Sequence, residues 1–458
     1  ALYREQGRLV EAEDKLRQSL VINPNYAGAY CNLGIVEKDF GRLEQAEISY
    51  RRALELDPGF SDAFSNLLFA YNYSHLYDPE RCLEEARRYG ALVAGKARPY
   101  AAWSCPPTPQ RLRVGLVSGD LRDHPVGHFL ESIVKALDSE RIELIAYPTH
   151  HEVSPLTARI QPCFTAWKPL HGLSDEAAAR LIHADGLHLL IDLAGHTAHN
   201  RLPVFAWKPA PVQASWLGYF ATTGVATIDY LLADQVGVPA DQRSQFTEEI
   251  VYLPDTRLCF TAPDRAPAVA PSPGLVNGYI TFGCFQNLTK ITDPVLAVWS
   301  RILSALPTAR LRLQNRQLGD AAVREQLRQR LHQQGIEPSR VALLEPVSRA
   351  EYLAAHGAVD CLLDTFPYPG GTTTCEALWM GVPTLTLAGE GLLARQGASL
   401  LTAAGLPAWV TATADAYVAQ AVAQANDLAG LAALRAELRE RVGGSPLMDA
   451  SRFARHLE

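Results

Sequence analysis

From residue 111 onward the chain alternates short β-rich runs with helical stretches, and further along it does so again. RVGLVSGD (113–120), IELIAYPT (142–149), LHLLIDLAG (187–195), VQASWLG (212–218) and IDYLLAD (228–234) have strand length and strand composition, and several are separated by helical segments such as SDEAAARLIHADG. After TAPDRAPAVAPSPG (261–274), rich in proline and alanine, the pattern restarts with YITFGCF, ARLRLQN, VALLEP, VDCLLD, PTLTLA and AWVTA. Apolar strands spaced by helices mean parallel sheets buried on both faces. The 458 residues exceed what one core holds, so the pattern predicts two α/β domains, 111–262 and 276–458, joined by a linker at 263–275. Ligands of such open sheets bind beyond the carboxyl ends of the strands.

The front of the chain follows another period. Gly7 and Gly41, Leu9 and Leu43, Ala12 and Ala46, Leu20 and Leu54, and Pro24 and Pro58 each lie 34 residues apart. That spacing resembles tetratricopeptide repeats, pairs of antiparallel helices. Tyr30, Leu33 and Gly34 mark one helix, and Ala46, Tyr50 and Ala53 the next. A further repeat starts at Phe64, Leu67 and Tyr71 and degrades once the spacing slips after His75, as a terminal repeat does when it caps a stack. The register predicts that the first repeat lacks its opening helix and that the chain is cut from a longer array. An all-α segment is thus expected over 1–98, followed by a proline-rich boundary at 99–110. It serves as a peptide-binding groove or as a structural cap.

Composition narrows the function classes. The net charge of −7 supplies no basic field for nucleic acid or for an anionic membrane. No run reaches the roughly 18 apolar residues of a membrane span, and the first residues do not read as a signal peptide. Eight cysteines without a CxxC pair suit reduced thiols in a cytoplasmic protein, with no structural zinc or disulfide expected. His124 with His128, and His196 with His199, have ligand spacing only on helices, and neither segment reads as helix, so no metal is expected there.

The most pointed chemistry lies in PYPGGTTTCEALWMGVP (367–383), between the strand VDCLLD and the next β-rich run. Gly370 and Gly371 allow an anion to approach the backbone. The first-turn N–H groups at Thr372, Thr373 and Thr374 have no partner within a helix that starts there, and its dipole favours negative charge. A capped turn accounts for the same residues. Lys290, in the loop QNLTKITDP after YITFGCF, hangs from the end of the domain's first strand. A lysine and a helix start that converge there can hold a diphosphate. Neither GxxxxGK[ST] nor GxGxxG occurs.

These segments, with RLRVGLVSGDLRDHPVGHF, RLIHADGLHLLIDLAGHT, KPAPVQASWLGYFATTG and EEIVYLPDTRLCF, resemble the O-GlcNAc transferase family (family 41 glycosyltransferases) over essentially the whole chain. The resemblance implies a catalytic region of GT-B type: two Rossmann-like domains behind the repeats, with the C-terminal one holding a UDP-sugar. It implies inverting transfer of N-acetylglucosamine from UDP-GlcNAc to Ser/Thr hydroxyls of a protein or peptide, with no metal or other cofactor. No Asp-X-Asp pair is present to hold a metal–diphosphate. Other donors and acceptors exist in the family (GDP-fucose to hydroxyls, UDP-glucose to asparagine), and a catalytically inactive adaptor is the remaining alternative.

Site residues follow from the same resemblance. Lys290 matches the diphosphate-contacting lysine, and Thr372 and Thr373 match the helix-start threonines. Asn287 stands where the family commonly has glutamine. Glu376 stands in place of the aspartate that receives the ribose hydroxyls. Gly370 belongs to the same loop, and Gly371 replaces a histidine of animal members. Val347, Arg349 and Tyr352 fall in the uracil-binding stretch. His124 matches a histidine proposed as general base, and His183 a second active-site histidine. An aspartate also proposed as proton acceptor aligns with Arg180, which leaves the base open.

Overall fold

The computed structural model describes residues 2–74 and 78–458. His75, after which the repeat spacing slips, lies outside the described residues. The chain forms two compact units: one of Gly59–Tyr71, Leu76–Thr261 and Pro446–Glu458, the other of Ala1–Pro58, Asn72–His75 and Ala262–Ser445.

The first unit is built on a seven-stranded, wholly parallel sheet ordered β3-β2-β1-β4-β5-β6-β7. Its strands are β1 (Leu112–Ser118), β2 (Ile142–Pro148), β3 (Ala166–Trp167), β4 (Leu189–Asp192), β5 (Val212–Ser215), β6 (Tyr230–Ala233) and β7 (Glu249–Tyr252). Five were legible as apolar runs. β3 is two residues long, and β7 alternates exposed with half-buried positions, so neither has the apolar run that betrays a buried strand. The helices Ser61–Tyr71 and Pro79–Ala94 belong to this unit, as does the returning helix Ala450–Leu457. That helix is tied down by Arg452 to Asp255 at 2.7 Å and by Trp216 against Phe453.

The second unit carries a six-stranded parallel sheet ordered β10-β9-β8-β11-β12-β13. The strands are β8 (Thr281–Cys284), β9 (Arg310–Gln314), β10 (Val341–Leu344), β11 (Cys361–Leu363), β12 (Thr384–Leu387) and β13 (Val410–Thr411). In each sheet the order reverses beside the first strand, between β1 and β4 and between β8 and β11. The crevice at a reversal is where such sheets receive ligands.

The repeat helices are shared out in a way the local period does not announce. Leu9–Ile22, Ala27–Asp39 and Leu43–Leu56 belong with the second sheet, and Ser61–Tyr71 and Pro79–Ala94 with the first. Gly34 is required by packing, since a Cβ there would lie 2.7 Å from the Tyr50 ring, which is wholly buried. Within the first unit Ser65 Oγ sits 2.8 Å from His196 Nδ1. Pro446–Glu458 also departs from the expected 276–458 domain, because it packs on the first sheet.

Candidate active site at the second sheet reversal

Two loops meet at the β8–β11 reversal. After β8, Asn287 Oδ1 accepts the Thr289 N–H at 3.0 Å and caps a single 3-10 turn, Leu288–Lys290. Gln317 Oε1 accepts from Leu288 N at 2.8 Å and fixes that turn from β9's side. Lys290 therefore leaves the strand end in a set direction. Its ammonium donates to Pro369 O at 2.9 Å and lies 3.8 Å from the Tyr368 ring centroid. Burial pushes its pKa down to about 8, with Asp364 and then Cys284 opposing.

The other loop, after β11, is organised by Asp364, which is fully buried. Its Oδ1 accepts from Gly370 N at 2.7 Å, from Thr365 N at 3.1 Å and from Gln286 Nε2, while Oδ2 accepts from Thr386 Oγ1 at 2.7 Å. Burial raises its pKa, and these hydrogen bonds work against that rise. The carboxylate thus folds the loop back so that the helix Thr372–Trp379 begins beside Lys290. The Thr372 and Thr374 hydroxyl oxygens are buried without a partner among the described residues. Buried polar atoms are rarely left so, and these two hydroxyls at the helix start keep capacity for a hydrogen bond.

Gly370 is required by close approach. A Cβ there would lie 2.3 Å from Thr374 Oγ1 and 2.7 Å from Thr373 Oγ1. Gly370→Ala is expected to force those hydroxyls aside and to cost about 1–3 kcal/mol, the usual cost of overpacking. A urea midpoint equal to the parent's would show that the threonines have room to turn. At Gly371 the space of a side chain is met by Gln396, whose Nε2 lies 3.0 Å from the ideal Cβ position and donates to Gly370 O at 3.2 Å.

A pocket of about 370 Å³ opens beyond the carboxyl ends of β8, β9 and β10, lined by Asn287, Gln317, Val347, Arg349 and Tyr352 among others. This volume suits a small organic ligand. Four of the residues expected to bind the nucleotide line it. Glu376 is 2% exposed and already engaged: Tyr352 Oη donates to Oε2 at 2.8 Å, and Arg349 pairs with Oε1. A carboxylate offers about four lone-pair sites, and the Arg349 side chain is half exposed, so capacity for a further donor remains.

The histidines belong to the first unit. His124 lies in the loop after β1 and caps the helix Pro125–Ala136, its Nδ1 accepting from Val126 N at 3.3 Å and lying 3.5 Å from Asp120 Oδ2. Burial, with Arg122 next, lowers its pKa, so the ring is neutral. Pro125 starts the helix that carries His128, which corrects the reading of this segment as non-helical. His183 is not brought to His124. It ends the helix Asp175–Ala184 ahead of β4, at the amino edge of the sheet, stacked on Tyr100 at 3.8 Å with Nε2 2.9 Å from Ala102 O. His196 is saturated too, with Nδ1 on the Ser65 hydroxyl and Nε2 3.0 Å from Thr223 O.

Sequence reasoning missed Gln286, Asp364, Tyr368 and Gln396. Asp364 had a signal, as the polar residue that ends an apolar strand at the reversal. Gln396 had none, because it reaches the loop from a later helix.

Comparison with known proteins agrees with this architecture. A family model for glycosyl transferase family 41 matches residues 90–264 and 270–457, and one for the tetratricopeptide repeat matches 27–60. The chain is 37% identical over 397 residues to the Petunia hybrida protein named "Probable UDP-N-acetylglucosamine--peptide N-acetylglucosaminyltransferase SPINDLY", covering 85% of this chain and 43% of that one. To the Arabidopsis thaliana protein of the same description, SEC, it is 30% identical, covering 83% and 41%. It thus spans less than half the length of these curated relatives. A solved structure of a mutant Thermobaculum terrenum O-GlcNAc transferase superposes with a TM-score of 0.95 at 38% identity, covering 100% of this chain and 87% of that one. Two Rossmann-like sheets of GT-B type with helical repeats ahead of them, and a family match over most of its length, show that the chain belongs to glycosyl transferase family 41.

Proposed function

We propose that the chain transfers N-acetylglucosamine from UDP-N-acetylglucosamine to serine or threonine hydroxyls of a protein or peptide, with inversion and without a metal ion. The observation that carries this reading is the meeting of Lys290 with the Thr372–Trp379 helix start beside the 370 Å³ pocket. As the acceptor oxygen bonds to the anomeric carbon, the bond to the diphosphate breaks and negative charge builds on the leaving oxygen. A half-buried ammonium and the first-turn N–H groups stabilise that charge without further rearrangement. Uracil and ribose are assigned to the pocket, with Val347, Arg349 and Tyr352 at the base and Glu376 at the ribose hydroxyls. Asn287 and Thr373 are assigned to the phosphates.

His124 is our candidate for proton transfer at the acceptor. While Nδ1 takes the Val126 N–H, a neutral ring carries its proton on Nε2 and offers a donor. Base action requires the tautomer with Nδ1–H turned to Asp120, 3.5 Å away. The repeat helices are assigned to the acceptor, since stacked helical pairs present a concave face. Among the described residues no helix is long and apolar enough to cross a membrane. We place the activity in the cytoplasm, since eight cysteines without a CxxC pair suit a reducing compartment.

Calorimetric titration with UDP, GDP and their sugar conjugates tests the donor. Binding of UDP and UDP-N-acetylglucosamine is expected, and a clear preference for GDP would sink this assignment. One observation favours such a second donor: at Gly371 the sugar would meet the Gln396 amide instead of a side chain from the helix start.

A further inference from the structure

We propose that Tyr73, contributed by the repeat segment, is a positioning residue for Lys290, holding the Tyr368 ring against which the ammonium sits. This rests on Lys290 as the diphosphate contact and extends it to a part of the chain outside both α/β sheets.

Tyr73 is 6% exposed and packs on Tyr368 with ring centroids 4.8 Å apart, tilted by 41°. The Lys290 ammonium lies 3.8 Å from the Tyr368 centroid, within the reach of a cation–π contact. Lys38, at the end of the helix Ala27–Asp39, stands 5.5 Å from the Tyr73 centroid and pairs with Asp39 at 2.9 Å. The Tyr368 carbonyl also accepts from Thr365 Oγ1 at 2.6 Å. The stack is therefore held from the repeat side and from the loop that Asp364 organises.

A second tie runs in parallel. Gln317 Nε2 donates to Asp39 O at 3.0 Å, and its Oε1 accepts from Leu288 N at 2.8 Å, inside the turn that presents Lys290. The repeat segment thus touches the lysine's turn by one route and the ring beneath its ammonium by another. Among the described residues the charged and titratable groups facing this assembly are Asp364 and Cys284 at Lys290, and Lys38, Asp39 and Tyr50 at Tyr73. The Tyr368 ring lies against the ammonium and Tyr73 backs that ring, so loss of Tyr73 lets the ring move and admits water to the ammonium.

The test is calorimetric titration of UDP from pH 6.5 to 9.5 on the full chain, with wild type, Tyr73→Phe and Tyr73→Leu. Binding should weaken in wild type as pH rises through about 8, where Lys290 loses its proton. Tyr73→Phe keeps the ring and should follow wild type. Tyr73→Leu should weaken UDP at pH 7 roughly tenfold, the size of effect expected when the cation–π support of a partly desolvated ammonium is disturbed. It should also move the alkaline loss to higher pH, because a hydrated lysine titrates nearer its ordinary value. The ligand's own ionisation is common to all variants and cancels. Tyr73→Met, which fills similar space without a ring, should shift the loss in the same direction and carries the test if Tyr73→Leu does not fold. A lower melting temperature with unchanged UDP affinity and an unmoved alkaline loss would overturn the proposal. Wild-type UDP binding by Lys290→Ala would instead overturn the role of the lysine itself.

Discussion

Replacing Lys290 by alanine is expected to lower turnover by roughly a hundredfold to a thousandfold, the usual loss when a group meeting transition-state charge is removed from a preorganised site. The measurement is UDP release from UDP-N-acetylglucosamine at pH 7, with UDP affinity followed alongside. Activity close to the parent's would end the assignment of Lys290 to the leaving group. The pH dependence has a definite sign. With its pKa lowered from 10.5 to about 8 by burial, the lysine loses its proton as pH rises through about 8, and activity should fall there. Stability runs the other way. Between about 8 and 10.5 the unfolded chain holds a proton that the folded chain has released, so this group favours folding more as pH rises. Function and stability should therefore separate on the alkaline side, and a loss of activity explained by unfolding would contradict this account.

Asp364→Ala is the second large effect. Three donors on Oδ1 and one on Oδ2 would lose their acceptor at a fully buried position. Each unsatisfied donor costs about 1–3 kcal/mol, so a total of about 3 kcal/mol or more is expected. Urea unfolding reads the stability, and UDP titration reads whether the loop still presents the helix start. Asp364→Asn should be far milder, because an amide oxygen can take the three Oδ1 donors. Its NH₂ can then donate to Thr386, whose hydroxyl is free to reverse its role. Equal damage from both substitutions would mean that the charge, and not the acceptor geometry, organises the loop.

The parts of this fold that were legible were those whose signal is local. β1, β2 and β8 announce themselves as apolar runs and β9 by alternation, and the 34-residue period marks helices whose small residues meet a neighbouring ring, as Gly34 meets Tyr50. The meeting of Lys290 with the loop before Thr372 was legible because both follow strands beside the reversal of such a sheet. What escaped depends on distant partners. Tyr73 looks like one more aromatic of a failing repeat until Tyr368, nearly 300 positions later, is placed against it. His183 reads well beside a strand, yet the helix before β4 ends at the amino edge, away from the loops that follow the strands. The non-helical reading of the His128 segment turns on a single residue, since Pro125 starts a helix there.

The returning segment Pro446–Glu458 has a consequence for how the chain is made. Phe260 N donates to Leu447 O at 2.8 Å, and Glu458 reaches back to Arg141 and to Asp138 N, each at 2.8 Å. During vectorial synthesis β1 to β7 leave the ribosome long before this segment exists, and the whole second sheet is translated in between. The face of the first sheet that includes Trp216 therefore waits, with apolar surface open to water, until residues 446–458 emerge. The unit encoded earlier can complete its core only after the later one has been made. A nascent chain stalled at residue 445 should bind chaperones or a hydrophobic dye more strongly than one stalled so that Glu458 has cleared the exit tunnel.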